Sequence, residues 1–289
     1  MPFGPHGDRH VDVVADTNVW YEIGAGSRNP DSLKRLGHRL LATPTSFLEI
    51  ASLIDSRNLG ERRSAALAVV QHADTLLPDC EFHLASIWGL NPKPLDLDWR
   101  EAFVAVSQAQ TPGELARGVR DFEAMVVRRV NLPLARVHRQ YEWTDFHDKL
   151  VDALDEEIPG YKAARANGKC LHAGKQKARR MAAKFRSAEA KHAFLMASYC
   201  RALLKVEAPF SPPTQGQLKA ASLQLQAYLD AYCEYLVGCA TSFAPQPNDL
   251  GDSDAFIYLQ ADRALLTSDK RWARIARVVC PSRVFTWPK

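Results

Sequence analysis

The run from Asp249 to Asp269 most constrains what this chain can become. It sets Asp249, Asp252 and Asp254 ahead of the apolar Ala255-Phe256-Ile257-Tyr258-Leu259, and places Asp269 just behind Ala264-Leu265-Leu266. A short apolar segment bounded by polar residues is the pattern of a buried strand in a parallel sheet. Such a strand delivers the residues behind it to the carboxyl edge of the sheet, where crevices form in open α/β folds. Asp252 and Asp254 are expected to open a helix over the run that follows them, a position that favours anions.

The first part of the chain carries matching signals. Val11-Asp12-Val13-Val14-Ala15 reads as a first strand that ends in Asp16-Thr17-Asn18, and Leu40-Leu41-Ala42-Thr43 reads as a second. Pro44 then suits the first turn of a helix with Thr43 as its cap. Within that helix Glu49 stands between Leu48 and Ile50. A carboxylate on an inward helix face requires a partner, because an isolated buried charge is very costly.

Residues 61–76 carry a helical pattern that Pro78 ends, and the two prolines of 88–94 mark a loop. Beyond it the chain reads as helices over 98–109, 113–131, 142–157, 173–206 and 215–239. Arg283 to Trp287 closes the chain as a last strand. The fold class expected is α/β, a doubly wound parallel sheet flanked by helices. Its core comprises 1–91 and 245–289, and 92–244 forms an all-helical insertion.

At 289 residues, 46% hydrophobic and 24% charged, the chain can bury a substantial core. Its six cysteines are scattered without a C-x-x-C pair, so they are read as free thiols in a reducing cytoplasm. No run of about 18 apolar residues argues for a membrane span. The nine histidines lack ligand spacing such as H-E-x-x-H, and no glycine-rich nucleotide signature is present.

Asp16, Glu49, Asp252 or Asp254, and Asp269 therefore form a coherent set that one pocket at the sheet edge can collect. Oxygen donors without His or Cys suit Mg²⁺ or Mn²⁺ better than zinc. A cluster of that kind can hold an ion that orients and activates water for phosphodiester hydrolysis. Thr17, Asn18, Thr267 and Ser268 supply hydroxyl and amide groups to support the acids.

Val13-Val14-Ala15-Asp16-Thr17-Asn18, Thr45-Ser46-Phe47-Leu48-Glu49-Ile50, and Asn248-Asp249-x-x-Asp252 leading to Leu266-Thr267-Ser268-Asp269-Lys270-Arg271-Trp272 together resemble the PIN-domain nucleases, a family that includes the VapC-type toxins. The resemblance covers roughly 1–80 and 245–289. It implies a Mg²⁺- or Mn²⁺-dependent endonuclease, with RNA favoured over DNA as substrate. Asp16, Glu49, Asp252 and Asp269 are then the catalytic, metal-holding acids. The Asn-Asp-x-x-Asp form and the spacing to Asp269 favour Asp252 as the third aspartate. Asp254 stays open as a ligand, because Asp-Ala-Phe-Ile is similar to the family's Asp-Ala-Leu-Ile. The resemblance also allows a toxin or defence role, with an antitoxin or other protein partner, and a homodimer.

Residues 164–191 hold nine Lys and Arg against Glu189 alone. Surface helices normally mix charge signs, so Lys175, Lys177, Arg179, Arg180, Lys184 and Arg186 are candidates for nucleic-acid backbone contact. The competing reading pairs them with the acidic residues of 145–157. Among other classes, the haloacid-dehalogenase-like phosphotransferases need an acid two residues after the first Asp, where this chain has Asn18. The alternative function is a catalytically inactive PIN-fold module for RNA binding or assembly.

Overall fold

The computed structural model describes residues 10–51, 58–92, 99–126, 143–166, 180, 188–207, 210–241, 249–260 and 262–287. Strand β1 (Asp12–Ala15) buries Val13, Val14 and Ala15 completely. Burial on both faces explains why the strand reads as a continuous apolar run rather than an alternating one. Asp16 ends β1 and caps helix α1 (Thr17–Gly24), accepting a hydrogen bond from the Asn18 backbone N–H. Helix α2 (Asp31–Arg35) leads to β2 (Arg39–Ala42) and α3 (Pro44–Ala51). The Thr43 hydroxyl accepts from the Ser46 N–H at 3.2 Å, as a cap should.

Helix α4 (Leu59–His72) opens with a capping box between Asn58 and Glu61. It packs on α1 at Gly24, where an added Cβ would meet the Ser64 backbone at 2.6 Å. Only glycine permits that approach. The helix stops short of the expected 61–76, because Thr75–Leu76 forms a third strand, β3, parallel to β2. Asp74 makes the switch: its N–H donates to Leu40 O at 2.8 Å, and its carboxylate accepts the Leu40 N–H at 2.9 Å. Two residues are too few for periodicity to separate strand from helix.

Helices α5 (Cys80–Ile87), α6 (Trp99–Gln108), α7 (Pro112–Val126), α8 (Trp143–Glu157), α9 (Tyr161–Ala166) and α10 (Ala188–Leu203) follow. The expected helix over 215–239 is divided at Leu225 into α11 (Gln215–Gln224) and α12 (Gln226–Thr241). Helix α13 (Asp249–Asp254) continues into a 3₁₀ turn, Ala255–Tyr258. Asp254 thus caps a 3₁₀ turn over the expected run, while Asp252 lies within the short α-helix ahead of it. Its first turn is pinned by buried Asp249, which accepts from the Tyr235 hydroxyl at 2.8 Å and from Arg271 at 2.7 Å.

Strand β4 (Arg263–Leu266), helix α14 (Lys270–Val279) and a 3₁₀ turn, Pro281–Arg283, follow. The expected strand over 283–287 is reduced to one bridge between Val284 and Leu265. Beyond it Phe285 packs edge-on against His38, and Arg28 lies over the Trp287 ring. These side-chain anchors replace a ladder.

The four strands form one all-parallel sheet in the order β3-β2-β1-β4. Val14, Leu41 and Leu265 face a core shared with α5, α10, α12 and α14. Val13, Ala15, Leu40, Ala42, Ala264 and Leu266 face a second core with α1, α3, α4 and α6. Segment 92–244 therefore contributes helices to both faces of the sheet. Among the described residues, no helix is long and apolar enough to cross a membrane. The chain runs from β1 outward to β2 and β3, then returns to β4 on the other side of β1. That reversal opens a crevice at the carboxyl ends of β1 and β4.

Candidate acidic site

Asp16 and Asp269 stand on the two sides of this crevice. The Asp16 N–H donates to Leu266 O at 3.0 Å, continuing the β1–β4 ladder into the site. Thr267 links the two acids: its hydroxyl donates to the Asp16 carboxylate and accepts the Asp269 N–H at 3.0 Å. Asp269 caps α14, taking the Arg271 N–H at 2.6 Å and the Trp272 N–H at 3.1 Å. It thereby satisfies amides that the helix leaves open.

Asp252 enters from α13, where the Trp272 indole N–H donates to it at 2.8 Å. Trp272 is buried and stacks on Tyr235, with centroids 5.4 Å apart, so the donor is fixed in place. Glu49, partly buried, comes from α3. Arg62 braces that helix from α4: its buried guanidinium donates to Glu49 O at 3.2 Å and to Ile50 O at 2.8 Å.

The electrostatics tie the four acids together. Burial, then the Glu49 and Asp16 carboxylates, push Asp252 up to about 8; Asp269 adds to the push, and the Trp272 bond opposes it. Burial raises Asp16 to about 6, against the bonds from Thr267 and Asn18, with Asp269 and Glu22 adding repulsion. The charges that bear most on both groups are therefore acids. A cavity of about 20 Å³ between them is lined by Asp16, Thr17, Thr45, Ser46, Asp252, Thr267 and Trp272, with other residues. That volume suits one water or one small ion. Beside it a groove of about 950 Å³ runs past Asn18, Tyr21, Glu22, Ser64, Asp269 and Lys270.

Asp254, the alternative third aspartate, does not join this group. Arg201 holds it with two bonds of 2.8 and 2.7 Å, both side chains largely buried. Residues two apart on a helix point in nearly opposite directions, so Asp252 and Asp254 cannot both face the crevice. Asn18 serves the site through its backbone N–H, Thr17 lines the cavity, and Ser268 turns to Glu22 at 2.8 Å. Arg180 is exposed. Lys175, Lys177, Arg179, Lys184, Arg186 and Asn248 lie outside the described residues. In the acidic helix α8, Asp152 pairs with Lys162 at 2.6 Å.

Two residues were not anticipated. Glu22 on α1 adds a fifth carboxylate near Asp16, and its signal was present: like Glu49, it is a lone acid between large apolar neighbours, Tyr21 and Ile23. Arg62 had no such signal, since Glu61-Arg62-Arg63 reads as exposed charge.

The donor set is all oxygen and suits Mg²⁺ or Mn²⁺. Among the described residues, however, no three His, Cys, Asp or Glu side chains form a ready-made metal-ligand group. Asp16, Asp252 and Asp269 each accept hydrogen bonds from protein donors, and Asp16 and Asp252 line the cavity that an ion would occupy. Comparison with protein-family models, curated proteins and solved structures finds no match to this chain.

Proposed function

We propose that the chain is a metal-dependent endonuclease of PIN type, with RNA the favoured substrate and Mg²⁺ or Mn²⁺ as cofactor. The observation that carries this reading is the crowding of Asp16, Glu49, Asp252 and Asp269 at the β1–β4 crevice, where the charges acting on Asp16 and Asp252 are acidic. Four acids held together raise one another's free energy, and a divalent cation relieves that repulsion. A bound ion would lower the pKa of a water molecule and offset the charge that builds on the phosphate.

The chain's own residues would hold and aim the acids. Thr267 orients Asp16, Trp272 orients Asp252, and Arg62 fixes the helix end that carries Glu49. The adjoining groove, with exposed Lys270 at its rim, gives the substrate strand a path past Asp269. A toxin or defence role, with an antitoxin or other protein partner, is the setting that the resemblance offers for such an activity.

A second reading, an inactive RNA-binding or assembly module, draws on the protein donors that already satisfy three of the acids. One experiment separates the two: labelled single-stranded RNA and DNA incubated with Mn²⁺ or EDTA, beside Asp16→Asn. The nuclease reading expects Mn²⁺-dependent cutting that the variant lacks. Salt-sensitive binding by both proteins without cutting would replace it with the module.

A further inference from the structure

The nuclease reading leaves Glu22 without a part. It lies on α1, beyond the four acids, yet it is tied to the loop that carries two of the site's residues. Its Oε2 accepts the Ser268 hydroxyl at 2.8 Å and the Arg28 Nε–H at 2.9 Å. Arg28 in turn lies over the Trp287 ring, 5.3 Å from its centroid.

Three consecutive residues of the β4–α14 loop are thus anchored separately. Thr267 bonds to Asp16, Ser268 bonds to Glu22, and Asp269 caps α14. The first two anchors reach the same helix, Asp16 at its cap and Glu22 more than a turn further on. One bond would let the loop pivot about Thr267. Two bonds to one rigid helix set both its position and its tilt.

We propose, resting on the nuclease reading, that Glu22 is a positioning residue that acts through Ser268 to hold Asp269 and Thr267 at the acidic site. The Arg28–Glu22 pair is about one-third exposed and is worth little to stability by itself. Glu22 also keeps its place against the repulsion of Asp16. What it supplies is geometry, and an outer residue that orients a ligand commonly controls on the order of 10- to 100-fold in metal affinity or turnover.

The test is a double-mutant cycle of Glu22→Ala and Ser268→Ala, with Mn²⁺ affinity measured by calorimetry and kcat and KM measured on labelled RNA. Each single variant should weaken Mn²⁺ binding and lower kcat by about the same factor, on the order of 10-fold, with KM little changed. The double variant should be little worse than either, because both changes remove the Ser268–Glu22 bond and the Arg28 pair that Glu22→Ala also removes is part-exposed and weak. Glu22→Gln, which keeps an acceptor for Ser268, should recover most of the loss and covers the case in which Glu22→Ala does not fold. Additive losses would overturn the proposal, as would a folded Glu22→Ala with unchanged affinity and kcat. A wild-type protein that neither binds Mn²⁺ nor cuts would bring down the nuclease reading and this inference with it. Wild-type activity with an unaffected Glu22→Ala would bring down this inference alone.

Discussion

The indole N–H of Trp272 lies 2.8 Å from the Asp252 carboxylate and donates to it, so a buried aromatic of α14 aims an acid of α13. The same residue's backbone N–H donates to Asp269 at 3.1 Å. One tryptophan therefore sets the spacing between two of the four acids. Trp272→Phe keeps an aromatic ring at a buried position, but a smaller one, and loses the side-chain donor. The lost hydrogen bond and the void left by the smaller ring should together cost at least about 1 kcal/mol in urea denaturation. Cleavage per folded molecule should fall at least tenfold, since Asp252 is no longer aimed.

Asp252 and Asp254 should behave in opposite ways. Asp252→Asn removes a crowded acid, so the protein should fold and lose metal-dependent cutting. Asp254→Asn breaks the pair with Arg201 and leaves a largely buried guanidinium without its carboxylate. Breaking a buried pair on one side costs about 3 kcal/mol or more. That variant should melt earlier yet cut normally below its transition. Thermal melts and cleavage assays on both variants check the contrast, and a stable but inactive Asp254→Asn would move the third aspartate to 254.

The metal-free protein should lose stability as pH rises. Asp16 and Asp252 have folded pKa values of about 6 and about 8, above the 3.8 of an unperturbed aspartate. The folded state therefore binds more protons than the unfolded state between these limits, and stability falls with pH across that window. Their contribution is fully present below about 3.8 and is lost as pH passes through 6 and then 8. Calorimetric melts in EDTA from pH 5 to 9 should show this slope. Asp252→Asn should flatten its upper part and raise the Tm at pH 8. Added Mn²⁺ should raise the wild-type Tm more at pH 8 than at pH 6, because protons compete for the same carboxylates.

Arg62→Met should uncouple α3 from α4. The buried guanidinium holds the carbonyls of Glu49 and Ile50, and a thioether cannot. Each charged hydrogen bond contributes about 1.5–3 kcal/mol, so a loss of several kcal/mol in chemical denaturation is expected. Amide exchange should rise first in α3. Unchanged protection there would show that Arg62 does not brace the helix.

Asp16 and Asp269 were legible because a short apolar run has few alternatives to a buried parallel strand, and the residue behind such a strand must reach the sheet's carboxyl edge. Glu49 was legible for a related reason, as a charge among apolar neighbours that burial would penalise. These are one-dimensional facts about hydrophobic pattern, and they determine the α/β class and the edge at which acids gather. The choice of Asp252 over Asp254 depended instead on which side of a short helix turned toward the crevice. Arg201, across the core, pairs with Asp254, and no local pattern records that. Likewise Thr75 and Leu76 became a strand because Asp74 bonds to Leu40, and Glu22 entered the site because Ser268, far along the chain, came within 2.8 Å. Sequence alone determined which segments are buried and what chemistry follows them. Tertiary structure decided which side chains meet, because side-chain direction and long-range hydrogen bonds arise only when the elements pack.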